Sequence, residues 1–135
     1  MRLFVDTAAW YALYDRRTEQ HESAKALFDG LVDQRVTFFV TDYVFGETLT
    51  LLLGRLGHTT AVACGDRIIR SSIIKMVHIN PGQWDDAWGM FRRYDEKGFS
   101  FTDCTSFVVM REHHLVDAFT FDHHFEQMGF RMWPA

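Results

Sequence analysis

Short apolar segments alternate along the chain with longer stretches in which apolar residues recur every three or four positions. The short segments are rich in β-branched and aromatic side chains, which are typical of buried strands. They predict strands at Arg2–Val5, Val36–Val40, Ile73–Ile79, Phe99–Thr102, Val116–Phe121 and Phe130–Trp133. The helical periodicity predicts helices at Ala8–Tyr14, Glu19–Gln34, Asp42–Leu56, Thr59–Ser71, Gln83–Lys97, Asp103–His114 and Asp122–Met128.

Several of these helices carry start and stop signals. Thr41 is a candidate N-cap for the helix Asp42–Leu56, and Gly57 stands in the C-terminal stop position. Thr102 is the corresponding N-cap candidate for the helix that follows it. The face of Asp42–Leu56 opposite its apolar stripe holds Glu47.

Alternating strands and helices predict an α/β fold with a mainly parallel central sheet and helices on both faces, a three-layer sandwich. We expect residues 1–135 to form a single domain, since the chain contains no linker, repeat or low-complexity segment. Ligands of such sheets bind at the carboxyl ends of the strands. Polar residues that directly follow a strand are therefore the functional candidates.

Composition narrows the class of protein. With 47% hydrophobic and 16% aromatic residues, the 135-residue chain can form a sizeable core. A net charge of −4 argues against a passive nucleic-acid-binding module, but not against a metal-dependent enzyme. Cys64 and Cys104 lie in predicted helices, which indicates buried thiols in a reducing compartment. No segment is long and apolar enough for a membrane span, so we expect a cytoplasmic protein.

Four aspartates follow predicted strands: Asp6, Asp42, Asp103 and Asp122. One aspartate in such a position is usually a turn or cap residue, and Asp42 fits this helix-start role. Four carboxylates at one sheet edge would repel one another unless a cation neutralised them. Glu47 leaves the same edge in the second turn of its helix. An all-oxygen cluster suits Mg2+ or Mn2+ better than zinc.

The chain resembles the PIN-domain ribonucleases, and especially the VapC-type toxins. The resemblance covers nearly the whole chain and is carried by an ordered set of motifs: Val5-Asp6-Thr7, a helix containing Glu47, Phe101-Thr102-Asp103-Cys104-Thr105-Ser106-Phe107, and Ala118-Phe119-Thr120-Phe121-Asp122. One departure is Ala8, where many relatives carry a hydroxyl or amide side chain.

The resemblance implies that Asp6, Glu47, Asp103 and Asp122 surround Mg2+ or Mn2+ and act in catalysis. It further implies endonucleolytic cleavage of RNA, a small antitoxin protein that blocks the site, and a homodimer. Thr7, Thr120 and Ser106 would orient ligands or a phosphate. Substrate backbone contacts would come from two pairs of arginines, Arg16 with Arg17 and Arg92 with Arg93, although such pairs are more often solvated helix faces.

Two alternative functions remain open. A catalytically silent PIN-like module would bind proteins only, and a housekeeping nuclease would process RNA without an antitoxin.

Other patterns are weaker. The tripeptide Asp122-His123-His124 also occurs in a manganese phosphoesterase family, but that family's other acidic motifs are missing. His113-His114 and Cys104 match no common zinc spacing. A stripe of Trp84, Trp88 and Phe91 is more typical of core or a dimer interface than of a base-stacking platform.

Overall fold

The computed structural model describes all residues from 1 to 135. Its five strands form one sheet: β1 (Arg2–Val5), β2 (Thr37–Thr41), β3 (Ile74–Val77), β4 (Asp117–Phe119) and β5 (Arg131–Trp133). The strand order is β3-β2-β1-β4-β5, and every neighbouring pair is parallel. The predicted α/β class with a parallel central sheet is therefore confirmed.

Seven helices connect the strands: α1 (Thr7–Tyr14), α2 (His21–Asp33), α3 (Asp42–Leu56), α4 (His58–Arg70), α5 (Pro81–Arg93), α6 (Phe101–Glu112) and α7 (His124–Gln127). Connections between parallel strands are right-handed. The chain runs outward from β1 to β3 and then returns across β1 to β4. Helices α1 to α4 consequently cover one face of the sheet, and α5 to α7 cover the other.

Aromatic packing fills both faces. On one face the rings of Phe28 and Phe38 stack with centroids 4.8 Å apart. On the other face Phe107 meets Phe125 edge-on at 5.0 Å. All four side chains are almost fully buried, so the sheet has a core on each side.

The reversal of strand order lies between β1 and β4. Phe4 pairs with Ala118 and Val5 with Phe119, and the Asp6 N–H donates to the Phe119 carbonyl at 3.0 Å. Connections leave these neighbouring strands toward opposite faces, which opens a crevice at their carboxyl ends. The fold therefore places Asp6 at the position where a ligand is expected.

The predicted strand Phe99–Thr102 is wrong. Phe101 already begins α6, and Ser100, not Thr102, is its N-cap. Phe99 is buried because its ring packs edge-on against Phe107 at 5.2 Å. Its apolar character reflects this contact and not a place in the sheet.

Smaller corrections concern element ends. Helix α5 ends at Arg93, four residues before the predicted end. Helix α4 begins directly after Gly57, without a threonine cap. The Thr41 cap is confirmed, because its Oγ1 accepts from the Val44 N–H at 3.0 Å.

Two other expectations can be compared with the fold. Both cysteines are free and buried, as predicted. No helix is long and apolar enough to cross a membrane.

Candidate metal centre

Asp6 provides the buried carboxylate of the site. It lies between β1 and α1 and is only 5% exposed. Its Oδ2 accepts a hydrogen bond from the Thr120 hydroxyl at 3.0 Å. The carboxylate is thus fixed at the crevice between β1 and β4.

Asp103 enters the site from the first turn of α6. Its side chain accepts from the Ser100 N–H at 3.0 Å, and its own N–H donates to Ser100 Oγ at 2.9 Å. This reciprocal capping box fixes both the helix start and the carboxylate. Asp103 was predicted as a site residue that follows a strand, but the structure places it in the first turn of a helix.

Asp122 follows β4 by three residues. Its N–H donates to Thr120 Oγ1 at 3.0 Å. The Thr120 hydroxyl therefore links two aspartates, donating to Asp6 and accepting from the backbone of Asp122. Because Thr120 is fully buried, this link is held rigidly within the crevice.

His124 is a member of this cluster that sequence reasoning set aside. Its Nδ1 lies 3.2 Å from Asp103 Oδ2 and 3.4 Å from Asp122 Oδ1. Asp103, Asp122 and His124 each offer one ligand atom, and these atoms all lie within 4.8 Å of one another. The signal in the sequence was the histidine two residues after Asp122.

Burial and mutual repulsion make ionisation of the carboxyl groups in the site less favourable. Burial, followed by the charge of Asp103, raises the pKa of Asp6 from 3.8 to about 7. Burial is also the largest cause of the raised pKa of Asp103, and Asp122 adds to it. Desolvation and repulsion of this kind are relieved when a cation binds.

Glu47 and Asp42, like Asp6, are not members of the group formed by Asp103, Asp122 and His124, whose ligand atoms lie within 4.8 Å of one another. Glu47 is exposed on α3 and makes no side-chain hydrogen bond or ion pair. Asp42 Oδ1 accepts from the N–H groups of Tyr43 and Ile79 at 3.1 and 3.0 Å. Asp42 thus joins the start of α3 to the segment after β3.

The supporting hydroxyls differ in their surroundings. Thr7 Oγ1, beside Asp6, is buried and has no hydrogen-bond partner. Ser106 Oγ donates to the Thr102 carbonyl at 3.0 Å, so its proton is used within α6. Of the three predicted supporting residues, Thr120 alone bonds to one of the acidic side chains.

The arginine pairs lie on the surface. Arg17 Nε donates to Asp15 Oδ1 at 3.1 Å, and this contact together with the Tyr11 hydroxyl holds the pKa of Asp15 well below its usual range. Arg16 has no such partner. Arg92 and Arg93 are both exposed at the end of α5.

The aromatic stripe of α5 is not part of the core. Trp84, Trp88 and Phe91 are 42%, 46% and 40% exposed. Together with Tyr43 and Phe101 they line a surface cleft. The core interpretation of this stripe is therefore wrong.

Comparisons with known proteins identify the family of this chain. The PIN domain family model matches residues 3–131. The 23S rRNA-specific endonuclease VapC20 of Mycobacterium tuberculosis is 37% identical over 95% of both chains. Its crystal structure, described as that of a sarcin-ricin loop cleaving toxin, superimposes with a TM-score of 0.86 over 95% of each chain.

More distant proteins share the fold. The VapC ribonuclease of Archaeoglobus fulgidus is 28% identical over 83% of this chain and 72% of its own. VapBC2 from Rickettsia felis gives a TM-score of 0.70 at 12% identity, covering 98% of this chain and 97% of that one.

The chain belongs to the PIN domain family. The family and fold predicted from the sequence are confirmed, and the nuclease and toxin interpretation agrees with the names of these relatives.

Proposed function

We propose that the protein is a divalent-metal-dependent endoribonuclease and the toxin of a toxin–antitoxin pair. The observation that carries this proposal is the meeting of Asp6, Asp103 and Asp122 at the crevice between β1 and β4. Thr120 bonds to the first and third of them. Burial, followed by the charge of Asp103 and to a smaller extent that of Asp122, raises the pKa of Asp6.

The donor set fits a hard divalent cation such as Mg2+ or Mn2+. Carboxylate oxygens are the preferred ligands of both ions. The raised pKa of Asp6 supports the fit. Its carboxyl group resists ionisation among other carboxylates, and a bound cation would stabilise its ionised form. The unpartnered buried hydroxyl of Thr7 adds an oxygen next to Asp6.

Asp6 and Asp103 would hold the cation directly, and Asp122 would complete its coordination directly or through water. Glu47, which is exposed and makes no side-chain hydrogen bond or ion pair, would reach the ion only through water. When bound, one or two such ions acidify water and neutralise charge on the leaving oxygen of a phosphodiester. Thr120 fixes the orientation of Asp6, and the capping box fixes Asp103. These hydrogen bonds keep the ligand oxygens in place, so the site is largely preorganised.

We infer that the substrate is a structured ribosomal RNA. The support is the relationship to VapC20, which is named as a 23S rRNA-specific endonuclease. Arg16, Arg92 and Arg93 would contact the phosphate backbone because their guanidinium groups are exposed. Arg17 is a weaker candidate, since it already pairs with Asp15.

We infer two protein partners. A small antitoxin would cover apolar residues exposed along α3 and α4, where Leu53, Val62 and Ile69 are 53%, 45% and 66% exposed. A second copy of the chain would cover the aromatic stripe of α5, because isolated proteins rarely expose such patches.

Expression in growing bacteria tests the proposed activity. We expect growth arrest and a new 5′ end at one position in ribosomal RNA, both absent with Asp6→Asn. The matched control, Asp33→Asn on the exposed end of α2, should remain toxic. Toxicity that survives Asp6→Asn would favour the silent protein-binding module.

Partner isolation tests the assignment to a toxin–antitoxin pair. We expect a small protein to co-purify from the native host and to restore growth. A tagged protein that cleaves RNA but retains no such partner would favour the housekeeping nuclease.

A further inference from the structure

One imidazole nitrogen lies between two carboxylates of the proposed site. His124 Nδ1 is 3.2 Å from Asp103 Oδ2 and 3.4 Å from Asp122 Oδ1. The proposed nuclease chemistry assigns no role to this side chain. Within the tripeptide Asp122-His123-His124, Asp122 nevertheless belongs to the acidic cluster and His124 contacts it.

The His124 side chain is held in this position. Its backbone N–H donates to Asp122 Oδ1 at 2.9 Å, which closes a tight turn. Its ring meets Phe99 edge-on at 5.1 Å and 78°. The side chain is 27% exposed, whereas that of the neighbouring His123 is 77% exposed.

The distances match the edges of a coordination shell. In octahedral coordination at about 2.1 Å, neighbouring ligand atoms lie about 3 Å apart. The separations of 3.2 and 3.4 Å from Nδ1 to the two carboxylate oxygens are close to this value. One cation could therefore contact all three side chains without a large rearrangement.

We propose that His124 is a nitrogen ligand of the divalent cation at this centre and makes the site prefer Mn2+ over Mg2+. The inference rests on the proposed function, because it requires that a cation is bound by Asp103 and Asp122. Imidazole is a better ligand for transition-metal ions than for Mg2+, which favours oxygen. One nitrogen among oxygen ligands shifts the preference of the site accordingly.

The competing role for His124 is that of a hydrogen-bond donor that orients Asp103. In that role Nδ1 points to the carboxylate and never contacts the metal. Both roles predict weaker metal binding when His124 is changed. Only direct coordination places a nitrogen nucleus on the ion and changes the selectivity between Mn2+ and Mg2+.

Pulsed electron paramagnetic resonance of the Mn2+-loaded protein separates these roles, because it detects nitrogen-14 bonded to manganese. The wild type should show the modulation of a coordinated imidazole. His124→Phe, which keeps a ring against Phe99, should lose it. His123→Phe is the matched control and should retain it, since the exposed His123 side chain pairs with Glu126, at 3.7 Å, and is not a member of the acidic cluster.

Equilibrium binding of the two ions provides the second measurement. We expect the ratio of Mn2+ to Mg2+ affinity to fall in His124→Phe and to stay unchanged in His123→Phe. His124→Asn replaces the imidazole with an amide side chain whose carbonyl oxygen can coordinate the ion. It should also reduce the ratio, and it provides a second variant if the phenylalanine variant does not fold.

The outcomes distinguish this inference from the proposed function. Bound Mn2+ without nitrogen coupling in the wild type would overturn the role of His124 and leave the nuclease proposal standing. A folded wild type that binds neither ion would overturn both.

Discussion

Asp6→Asn should stabilise the metal-free protein, although it removes a proposed metal ligand. Burial and the charge of Asp103 raise the pKa of Asp6 from 3.8 to about 7, against the opposing hydrogen bonds from Thr7 and Thr120. The folded protein therefore retains a proton that the unfolded chain releases between about pH 4 and pH 7. The stability contributed by protonated Asp6 is lost as the pH rises through this window.

The magnitude follows from the same two pKa values. The difference between 3.8 and about 7 corresponds to about 4 kcal/mol of unfolding free energy at pH 8, and to about 2 kcal/mol at pH 5. Asparagine carries no charge, and its carbonyl oxygen can still accept from Thr120. We expect Asp6→Asn to exceed the wild type in stability by up to these amounts, with the larger gain at pH 8.

Urea denaturation in the presence of a chelator measures the effect at both pH values. Asp117→Asn is the control at a second buried aspartate, whose Oδ1 accepts from Trp133 Nε1 at 2.9 Å and lies 3.5 Å from Arg131 Nε. Because these groups satisfy the Asp117 carboxylate, its replacement should not stabilise. A difference between Asp6→Asn and the wild type that fails to grow from pH 5 to pH 8 would refute the reasoning.

Two further substitutions test the hydrogen bonds of Thr120 and the ion pair between Arg17 and Asp15. Thr120→Val removes the hydroxyl that joins Asp6 to the backbone of Asp122. Mn2+ affinity measured by calorimetry should therefore fall about 10- to 100-fold, as for other residues that orient ligands, and an unchanged affinity would contradict this role. Arg17→Ala breaks the ion pair between the exposed Arg17 and the buried Asp15, and should lower the unfolding free energy without changing RNA affinity in a filter-binding assay. A loss of RNA affinity would restore Arg17 as a substrate contact.

Much of the fold could be predicted because strands and helices have different apolar periods. All five observed strands coincide with predicted ones, and the alternation with helices determined the parallel sheet. The strand predicted around Phe99 was wrong because three-residue apolar patterns do not distinguish a strand from a buried loop. The capping box between Ser100 and Asp103 fixes where α6 begins, and such a box is a weak signal in sequence alone.

Part of the candidate site could also be predicted, because some of its residues directly follow strands. Positions after strands identified Asp6 and Asp122, since parallel strands end at one sheet edge. His124 could not be chosen by the same rule, because its placement depends on a turn formed with Asp122 and on packing against Phe99. The exposure of Trp88 likewise depends on which side of α5 meets the sheet, which helical periodicity does not determine.

Cleavage of a labelled RNA pool by the purified protein, with Mn2+ or Mg2+ and with a chelator, is the most direct test of the central claim. The account predicts metal-dependent internal cuts that are lost in Asp103→Asn and retained in Asp33→Asn. Equal cutting by wild type and Asp103→Asn, or cutting that persists in the chelator, would contradict a metal-dependent nuclease centred on these carboxylates.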